Sequence, residues 1–338
     1  MNGKLPLNNI AIIGAGAWGT ALAQVFAQAG RAVILYARDP GLADSVRQNR
    51  MNNTYLPGFL LNEDLRATAD LAAAVQNAEI VLLATPTQFV RDTLTALKAH
   101  LPKNVPLISC AKGIEVSSGK LLSEVAAEIA PNHPYAVLSG PTFAAEVAQG
   151  LPTAVTLATR APEETAQMWA QALSSKTFRP YLSHDPAGAE ISGAVKNVIA
   201  IACGIVEGKG LGQNAKAAIM TRGMAEIKRL GMKKGAVTDS FLGLAGIGDL
   251  TLTCHSMSSR NYSLGFELGC GLSLQQVLAA RCTVAEGVTT AKAVAKIAGT
   301  LNVEMPICDA VNRILHHAIP VDDIIQSLLA RGLKYESG

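Results

Sequence analysis

Residues 10–19 have the sequence Ile-Ala-Ile-Ile-Gly-Ala-Gly-Ala-Trp-Gly, in which a short apolar run leads directly into a GxGxxG pattern. The apolar run predicts a buried strand, and the residues after it predict a helix. In this context Gly14 permits a tight turn, Gly16 lets the backbone approach a pyrophosphate, and Gly19 lets the helix pack on the strand. Since the first turn of a helix offers unpaired N–H groups to anions, the stretch predicts a dinucleotide-binding turn. The alternative is an ordinary glycine turn.

The end of the second predicted strand bears on which dinucleotide binds. About 20 residues beyond the glycines, an acidic side chain contacts the adenine ribose, whereas an arginine accommodates a 2′-phosphate. Here the strand 32–36 is followed by Arg38 and Asp39. Because a guanidinium pairs with phosphate and stacks on adenine, Arg38 favours NADPH, while Asp39 keeps NADH open. The alternative is a solvated charged turn.

Short apolar runs alternate with helical stretches through the first half of the chain. The predicted strands are residues 10–13, 32–36, 80–84, 106–109 and 135–138. Continuous apolar strands that alternate with helices are typical of a parallel sheet covered on both faces. The pattern therefore predicts an α/β fold with a Rossmann-like, doubly wound sheet.

The pattern changes near residue 185. Asp185 and Pro186 predict the start of a helix, with Asp as N-cap and Pro at the first helical position, and no convincing strand follows residue 190. Helical spacing extends over 186–206, 215–230, 273–278, 287–298, 309–315 and 322–329. We therefore expect a dinucleotide-binding domain over 1–185 and an all-α substrate-binding and catalytic domain over 186–338.

The composition excludes several classes of protein. Of 338 residues, 49% are hydrophobic and 16% charged, which excludes a disordered chain. The 29 Lys and Arg residues against 26 Asp and Glu residues give a net charge of +3, which suits a small anion but gives no case for nucleic acid. No apolar run of membrane-spanning length lacks charged or amide groups, and the N-terminus lacks a signal-peptide pattern, so no membrane span is expected.

The cysteines and histidines do not form a metal-binding pattern. No two of the six cysteines form a CxxC pair, and no HExxH occurs, so neither a zinc site nor a disulfide framework is expected. Buried free thiols in a reducing cytoplasm fit the cysteine spacing better.

Further segments carry more specific motifs. They are AKGIE at 111–115, SGPTFA at 139–144, GAVKN at 193–197, GLAGIGD at 243–249, SRN at 259–261 and VAEG at 284–287. Together with the opening GAGAWGTALA they resemble the bacterial NAD(P)-dependent sn-glycerol-3-phosphate dehydrogenases, in order and over nearly the whole chain. The resemblance implies reversible reduction of dihydroxyacetone phosphate to sn-glycerol 3-phosphate with NADPH or NADH. It also implies a cytoplasmic, commonly dimeric enzyme that supplies glycerophospholipid synthesis.

The resemblance also assigns roles to residues. It implies that Lys196 is the catalytic acid/base and that Lys112 is a second active-site lysine touching substrate and cofactor; Asp249 is placed with them. The substrate-binding positions expected are Lys112, Gly140, Thr142, Lys196, Asn197, Asp249, Ser259, Arg260 and Asn261. The cofactor-binding positions expected are Gly14, Gly16, Ala17, Trp18, Gly19, Arg38, Tyr55, Lys112, Ala144, Arg260, Val284 and Glu286, with Tyr55 the loosest match.

The chemistry of ketone reduction is consistent with these residues. Charge that grows on the carbonyl oxygen needs a cation that then gives up a proton. Lys196 lies in an apolar stretch, where desolvation lowers the pKa of a lysine, and Asp249 and Asn197 are expected to hold its amine. The alternative is a lysine whose amine reaches water.

Two segments of the sequence are expected to bind the phosphate of the substrate. Lys112 follows the apolar run 107–111, and such strand ends face the ligand crevice of a doubly wound sheet. Residues 258–261 offer two hydroxyls, a guanidinium and an amide, which suits a phosphate monoester. An ordinary surface lysine and a polar turn are the respective alternatives.

Two other functions stay open at this point. One is a different oxidoreductase on the same two-domain plan that acts on a hydroxy acid or a sugar phosphate. The other is a non-catalytic dinucleotide sensor. The joint presence of Lys112, Lys196 and Asp249 argues against the sensor, and residues 259–261 argue for a phosphate over a simple carboxylate.

Overall fold

The computed structural model describes residues 7–281, 285–332 and 335, and the first half of the chain forms one eight-stranded sheet. The strands are β1 Asn9–Ile13, β2 Ala32–Tyr36, β3 Arg66–Thr68, β4 Ile80–Leu83, β5 Leu107–Ser109, β6 Tyr135–Ser139, β7 Thr153–Thr159 and β8 Phe178–Ser183. Their order in the sheet is β3-β2-β1-β4-β5-β6-β7-β8. The strand order reverses between β1 and β4, and ligands of such sheets bind outside the carboxyl ends of the strands at this point.

The sheet is mostly parallel, and the predicted doubly wound class is confirmed. The prediction of a wholly parallel sheet is wrong at one place, because β7 runs antiparallel to β6. Antiparallel strands at the side of an otherwise parallel sheet are common. The sequence analysis missed β3, β7 and β8 because none is a continuous apolar run. β3 has three residues, β7 is interrupted by a threonine at every third position, and β8 is an edge strand that exposes Arg179 and Tyr181.

Helices cover both faces of the sheet, as predicted. They are α1 Ala17–Gln28, α2 Pro40–Asn49, α3 Leu71–Val75, α4 Val90–Leu97, α5 Leu122–Ile129, α6 Ala144–Ala148 and α7 Glu163–Ala172. Apolar residues of α1 and α7 pack with Ile12 and Leu35 on one face, and those of α3, α4 and α5 pack with Ile13 and Leu83 on the other. Phe26 of α1 meets Phe178 edge to face, with ring centroids 5.7 Å apart.

The rest of the described chain is helical, and no strand follows Ser183 within it. The helices are α8 Pro186–Gly208, α9 Gly212–Lys233, α10 Asp249–Cys254, α11 Arg260–Gly269, α12 Leu274–Ala279, α13 Glu286–Leu301, α14 Pro306–His317 and α15 Val321–Leu329. The predicted start of α8 is confirmed, since Oδ1 of Asp185 accepts a hydrogen bond from the backbone N–H of Gly188 at 2.9 Å. The sequence analysis did not predict α10 and α11, which are glycine-flanked and polar at their starts.

Helix α8 is the centre of the helical part. Nearly all of its residues are buried, and α9, α10, α11, α13 and α14 pack around it. Helix α11 approaches it closely through glycines: a Cβ at Gly204 would lie 2.1 Å from the carbonyl oxygen of Tyr262, and one at Gly265 would lie 2.1 Å from that of Ile201. The two backbones are therefore in contact, which fixes α11 against the middle of α8.

By length and composition, α8 alone among the described helices is apolar enough to cross a membrane. Its apolar window is completely buried inside the fold, as expected for the core helix of a folded domain. The described cysteines are free thiols, and four of them are buried: Cys110, Cys203, Cys254 and Cys308. The expectation of buried thiols is wrong at Cys270, which is exposed just after α11; Cys282 lies outside the described residues.

Candidate active site

The glycine turn has the context that was predicted from the sequence, between β1 and α1. Gly14 has a φ of +118°, and a Cβ there would lie 2.9 Å from the carbonyl carbon of Ala84. A Cβ at Gly19 would lie 1.9 Å from the carbonyl oxygen of Gly14, so both positions need glycine for packing. At Gly16, by contrast, a Cβ would meet no atom within 4 Å. Gly16 therefore faces open space, into which a ligand can approach the backbone.

The N-terminus of α1 is suited to a diphosphate. Gly16 is its N-cap and offers no side-chain acceptor to the first N–H groups of the helix. Ala17 and Trp18 form the first turn, and Trp18 packs on the sheet core. Unpaired N–H groups at the start of a helix attract phosphates, so the residues present fit a dinucleotide.

Arg38 and Asp39 follow β2 at the same edge of the sheet. Both are exposed, but Oδ1 of Asp39 accepts a hydrogen bond from the N–H of Gly41 at 2.9 Å and caps α2. The carboxylate is therefore partly committed to the helix. The guanidinium of Arg38 is at the surface beside the place where the adenosine of a dinucleotide lies in folds of this type.

Tyr55 is brought to the glycine turn by Asn52, which the sequence analysis missed. The buried amide of Asn52 donates to the carbonyl oxygen of Ala15 at 2.9 Å and to Oγ1 of Thr20 at 2.7 Å. Its Oδ1 accepts from the N–H of Tyr55 at 3.1 Å. The loosest of the expected cofactor positions is thus tied to the turn through one side chain.

A single buried carboxylate joins the two lysines. Oδ1 of Asp249, the first residue of α10, accepts from Nζ of Lys196 at 2.6 Å, and its Oδ2 accepts from Nζ of Lys112 at 2.8 Å. The side chains of Asp249, Lys196 and Lys112 are 1%, 7% and 14% exposed. The amine of Lys196 therefore does not reach water, and the three predicted residues form one cluster between the sheet and the helices.

Thr253 completes the surroundings of Lys196. Its Oγ1 accepts from Nζ of Lys196 at 2.8 Å and donates to the carbonyl oxygen of Asp249 at 2.6 Å. The expectation that Asn197 holds the amine is wrong, because adjacent residues of a helix do not face the same way. The sequence analysis missed Thr253, for which the one available signal is its position a helical turn after Asp249.

Asn197 belongs to a chain of amides instead. Its Nδ2 donates to the carbonyl oxygen of Lys112 at 3.3 Å, and its Oδ1 accepts from Nδ2 of Asn261 at 2.9 Å. Oδ1 of Asn261 in turn accepts from the N–H of Gly287 at 2.9 Å. These contacts fix the backbone of Lys112 relative to α8, α11 and α13.

The residues after β6 supply the remaining partners of Lys112. Its Nζ donates to the carbonyl oxygen of Gly140 at 2.9 Å and lies 3.4 Å from Oγ1 of Thr142. A Cβ at Gly140 would lie 2.9 Å from Cα of Val155, so glycine lets this turn pass close to β7. Ala144 then starts α6, which packs beside α1.

The predicted phosphate segment forms the start of α11. Oγ of Ser259 accepts from the N–H of Tyr262 at 3.2 Å and caps the helix. Arg260 is the first helical residue and is exposed, whereas Asn261 is buried in the amide chain. Of the three side chains, the guanidinium of Arg260 is therefore the one placed at the surface.

Glu286 starts α13 and contacts the segment that follows β4. Its Oε1 accepts from the N–H of Thr87 at 3.3 Å and lies 3.4 Å from Oγ1 of that residue. Burial raises the pKa of Glu286, while the bonds from Thr87 and the charge of Arg260 oppose the rise. Val284 lies outside the described residues.

Electrostatics make Lys196 a group that can exchange a proton near neutral pH. Burial lowers the pKa of Lys196 to about 8, because it penalises the ammonium form. The charge of Asp249 opposes this effect, and the charge of Lys112 adds to it. With both lysines protonated and Asp249 ionised, the cluster carries one excess positive charge, which favours an anionic ligand. Within the described residues no group of three or more His, Cys, Asp or Glu side chains is arranged to hold a metal ion.

Two family models match the chain. The model of the NAD-dependent glycerol-3-phosphate dehydrogenase N-terminus matches residues 9–165, and the model of the C-terminus of the same family matches residues 185–326. Together they include the glycine turn and both lysines.

Individual proteins are similar over nearly their full length. The chain is 53% identical to a glycerol-3-phosphate dehydrogenase [NAD(P)+] of Rhodospirillum rubrum, covering 98% of this chain and 95% of the relative. It is 52% identical to one of Parvibaculum lavamentivorans, covering 98% and 99%. The crystal structure of glycerol-3-phosphate dehydrogenase from Coxiella burnetii is 37% identical and covers 97% of this chain and 100% of that one, with a TM-score of 0.93. The chain therefore belongs to the NAD-dependent glycerol-3-phosphate dehydrogenase family.

Proposed function

We propose that the chain catalyses the reversible reduction of dihydroxyacetone phosphate to sn-glycerol 3-phosphate with NADPH or NADH. The observation that carries this proposal is the buried cluster in which Asp249 holds Lys112 and Lys196. It lies at the carboxyl ends of β5 and β6, on the side of the sheet where the glycine turn offers open space to a dinucleotide. Relatives 53% and 52% identical carry the corresponding name.

Lys196 is the proposed proton donor to the ketone oxygen. A bound nicotinamide supplies hydride transfer, and the protein supplies the proton and the orientation. As negative charge grows on the oxygen, the ammonium of Lys196 stabilises it and then transfers a proton. In the oxidative direction the neutral amine takes the proton back.

Asp249 and Thr253 are the proposed supports of that transfer. The carboxylate keeps the amine of Lys196 protonated near neutral pH although the site is buried. The hydroxyl accepts a second N–H of Nζ, which leaves the third N–H for the ketone oxygen. Lys112 contributes the second cation, which attracts the anionic substrate and polarises its carbonyl group. A fixed set of donors in a buried site stabilises developing charge without reorganisation of solvent.

Arg260 is the proposed phosphate ligand. It lies at the N-terminus of α11, so its guanidinium and the first N–H groups of a ten-residue helix can bind the same anion. Ser259 and Asn261 support that arrangement through the cap and the amide chain.

Arg38 supports a preference for NADPH. It is exposed at the end of β2, while its neighbour Asp39 is occupied in capping α2. The arginine is therefore better placed to meet a 2′-phosphate than the carboxylate is to meet a 2′-hydroxyl.

The domain division and the assembly are further parts of the proposal. We infer a dinucleotide-binding domain over 1–185 and a catalytic domain over 186–338, which is supported by the change from sheet to helices between Ser183 and Pro186. A homodimeric, cytoplasmic enzyme that supplies glycerophospholipid synthesis is consistent with the family resemblance. Free thiols at the described cysteines fit a reducing compartment.

The direct experiment follows the absorbance of NADPH, and separately of NADH, after addition of dihydroxyacetone phosphate. Oxidation of the dinucleotide with formation of sn-glycerol 3-phosphate is the expected result. Equal or faster turnover of dihydroxyacetone or of a 2-keto acid would favour a different oxidoreductase. Dinucleotide binding without turnover of any of these substrates would favour the sensor.

A further inference from the structure

A short segment after β4 lies against the loop that carries Lys112. We call residues 87–91 the support segment and residues 110–121 the lysine loop. The two meet closely at Gly113, where a Cβ would lie 2.4 Å from Oγ1 of Thr87. There is therefore no space between them for a side chain at the residue next to Lys112.

Gln88 binds the lysine loop through its backbone. Its Nε2 donates to the carbonyl oxygen of Ile114 at 2.9 Å, and its Oε1 accepts from the N–H of Val116 at 3.0 Å. One amide thus pairs with two backbone groups of the loop, as a neighbouring strand would. This pairing fixes the backbone two to four residues beyond Lys112.

Arg91 binds the side chain of Glu115, which lies between Ile114 and Val116. Its Nε donates to Oε1 of Glu115 at 2.8 Å and its Nη2 to Oε2 at 2.9 Å. The side chain of Glu115 is 6% exposed, and the guanidinium holds its pKa below the usual value. Oγ of Ser118, in the same loop, also donates to Oε2 of Glu115, so Arg91 is the partner that ties this carboxylate to the support segment. Loss of the guanidinium would leave a buried carboxylate without its charged partner, which is destabilising.

The other end of the lysine loop is the active site. The amine of Lys112 donates to Gly140 and Asp249, and the backbone carbonyl oxygen of Lys112 accepts from Asn197. The loop is therefore held at the amine by the site and at residues 113–116 by the support segment. A shift of about 1 Å in a catalytic group costs up to about a hundredfold in rate, so the second set of contacts bears on the reaction.

We propose that Gln88 and Arg91 are positioning residues that hold the lysine loop so that the amine of Lys112 meets the substrate. The proposal rests on the proposed function, because it concerns what Lys112 does in that reaction. Neither side chain has to touch the substrate. Their effect passes through Lys112, which makes it separable from an effect on folding.

A double-mutant cycle tests this separation. Arg91→Ala and Gln88→Ala are each made in the wild-type chain and in Lys112→Ala, and kcat/KM for dihydroxyacetone phosphate is measured with the melting temperature. We expect a loss of about 10- to 100-fold in the wild-type background and less than about threefold in Lys112→Ala, since the loop then has no amine to position. Arg91→Lys, which keeps the charge but loses the fork, is expected to recover part of the loss.

Lys209→Ala is the matched control. It also breaks a salt bridge between two elements, since Nζ of Lys209 lies 2.7 Å from Oδ1 of Asp322, but it lies outside the lysine loop. We expect it to leave kcat/KM unchanged in both backgrounds. Equal losses from Arg91→Ala in the two backgrounds, or no loss in the wild type, would overturn the proposal.

Hydrogen exchange separates this proposal from the proposed function. In Arg91→Ala, the amides of residues 113–120 are expected to exchange faster, while those of α13 keep their wild-type rates. Unchanged exchange in the loop would show that Arg91 does not hold it. If the wild-type chain reduces no dihydroxyacetone phosphate, the proposed function fails, and the exchange rates still decide whether the support segment fixes the lysine loop.

Discussion

Nζ of Lys196 lies 2.6 Å from Oδ1 of Asp249, although 53 positions of sequence separate the two residues. Two opposing effects meet in this contact. Burial disfavours the ammonium, and the carboxylate favours it, with the balance leaving the pKa of Lys196 at about 8. A lysine in this state holds its proton at neutral pH and gives it up readily, as an acid/base catalyst requires.

The pH dependence of the two directions should differ in sign. Reduction needs the ammonium of Lys196, so kcat/KM for dihydroxyacetone phosphate should fall as the pH rises through about 8. Oxidation needs the neutral amine, so kcat/KM for sn-glycerol 3-phosphate should rise over the same interval. The pH profiles of kcat/KM, measured in both directions, check this. A change of the same sign in both directions would contradict it.

Thr253→Val should weaken the hold on the ammonium of Lys196. The substitution removes the hydroxyl 2.8 Å from Nζ, and a hydrogen bond to a charged group contributes about 1.5–3 kcal/mol. We expect kcat/KM for reduction to fall about tenfold and its fall with pH to begin at a lower pH. Thr253→Ser should restore both.

The control for that substitution is Thr251→Val, which changes an exposed threonine on the same helix. It should leave the pH profile of the wild type intact. An unaltered profile in Thr253→Val, or an equal change in Thr251→Val, would show that the hydroxyl does not act on Lys196.

Arg38→Asp should move the cofactor preference from NADPH toward NADH. The exposed guanidinium at the end of β2 is replaced by a carboxylate that repels a 2′-phosphate and accepts from a 2′-hydroxyl. The ratio of kcat/KM for the two dinucleotides measures the effect. Asp39→Ala is the companion variant: it should cost about 1 kcal/mol of stability through the lost cap and leave the ratio unchanged. A ratio that changes in Asp39→Ala and stays constant in Arg38→Asp would show that Asp39, and not Arg38, determines the cofactor preference.

Gly16→Ala and Gly14→Ala should have different consequences. A Cβ at Gly16 meets no atom within 4 Å, so the melting temperature should be retained while dinucleotide affinity falls. At Gly14 the φ of +118° and the contact with Ala84 disfavour any side chain, so stability should fall as well. Thermal melting and dinucleotide titration of both variants check the contrast. Unaltered affinity in Gly16→Ala would place the diphosphate elsewhere.

The parts of the fold with local signals could be predicted from the sequence. β1 and β2 are continuous apolar runs, the glycine turn lies directly between β1 and α1, and Asp185 with Pro186 marks the start of α8. β7 and β8 could not be predicted in this way, because a strand interrupted by threonines and a partly exposed edge strand lack that signal. The antiparallel pairing of β7 with β6 is a property of the whole sheet and leaves no local pattern.

The site shows the same division. Lys112, Lys196 and Asp249 could be chosen through motifs, but the bonds between them span 137 and 53 positions. These bonds arise because α8 packs against the sheet and α10 packs against α8. Asn52, Thr253 and Arg91 lie outside the motifs and act through side-chain contacts. Such contacts are determined by tertiary structure. The expectation that Asn197 holds the amine of Lys196 fails for a local reason, because adjacent residues of a helix do not face the same way.

The most direct measurement is the turnover of Lys196→Ala with NADPH and dihydroxyacetone phosphate. We expect kcat to fall by about 10²–10⁴, the usual contribution of general acid–base catalysis, while the dissociation constant for NADPH stays close to that of the wild type. Turnover equal to that of the wild type would remove Lys196 from the reaction and contradict the account.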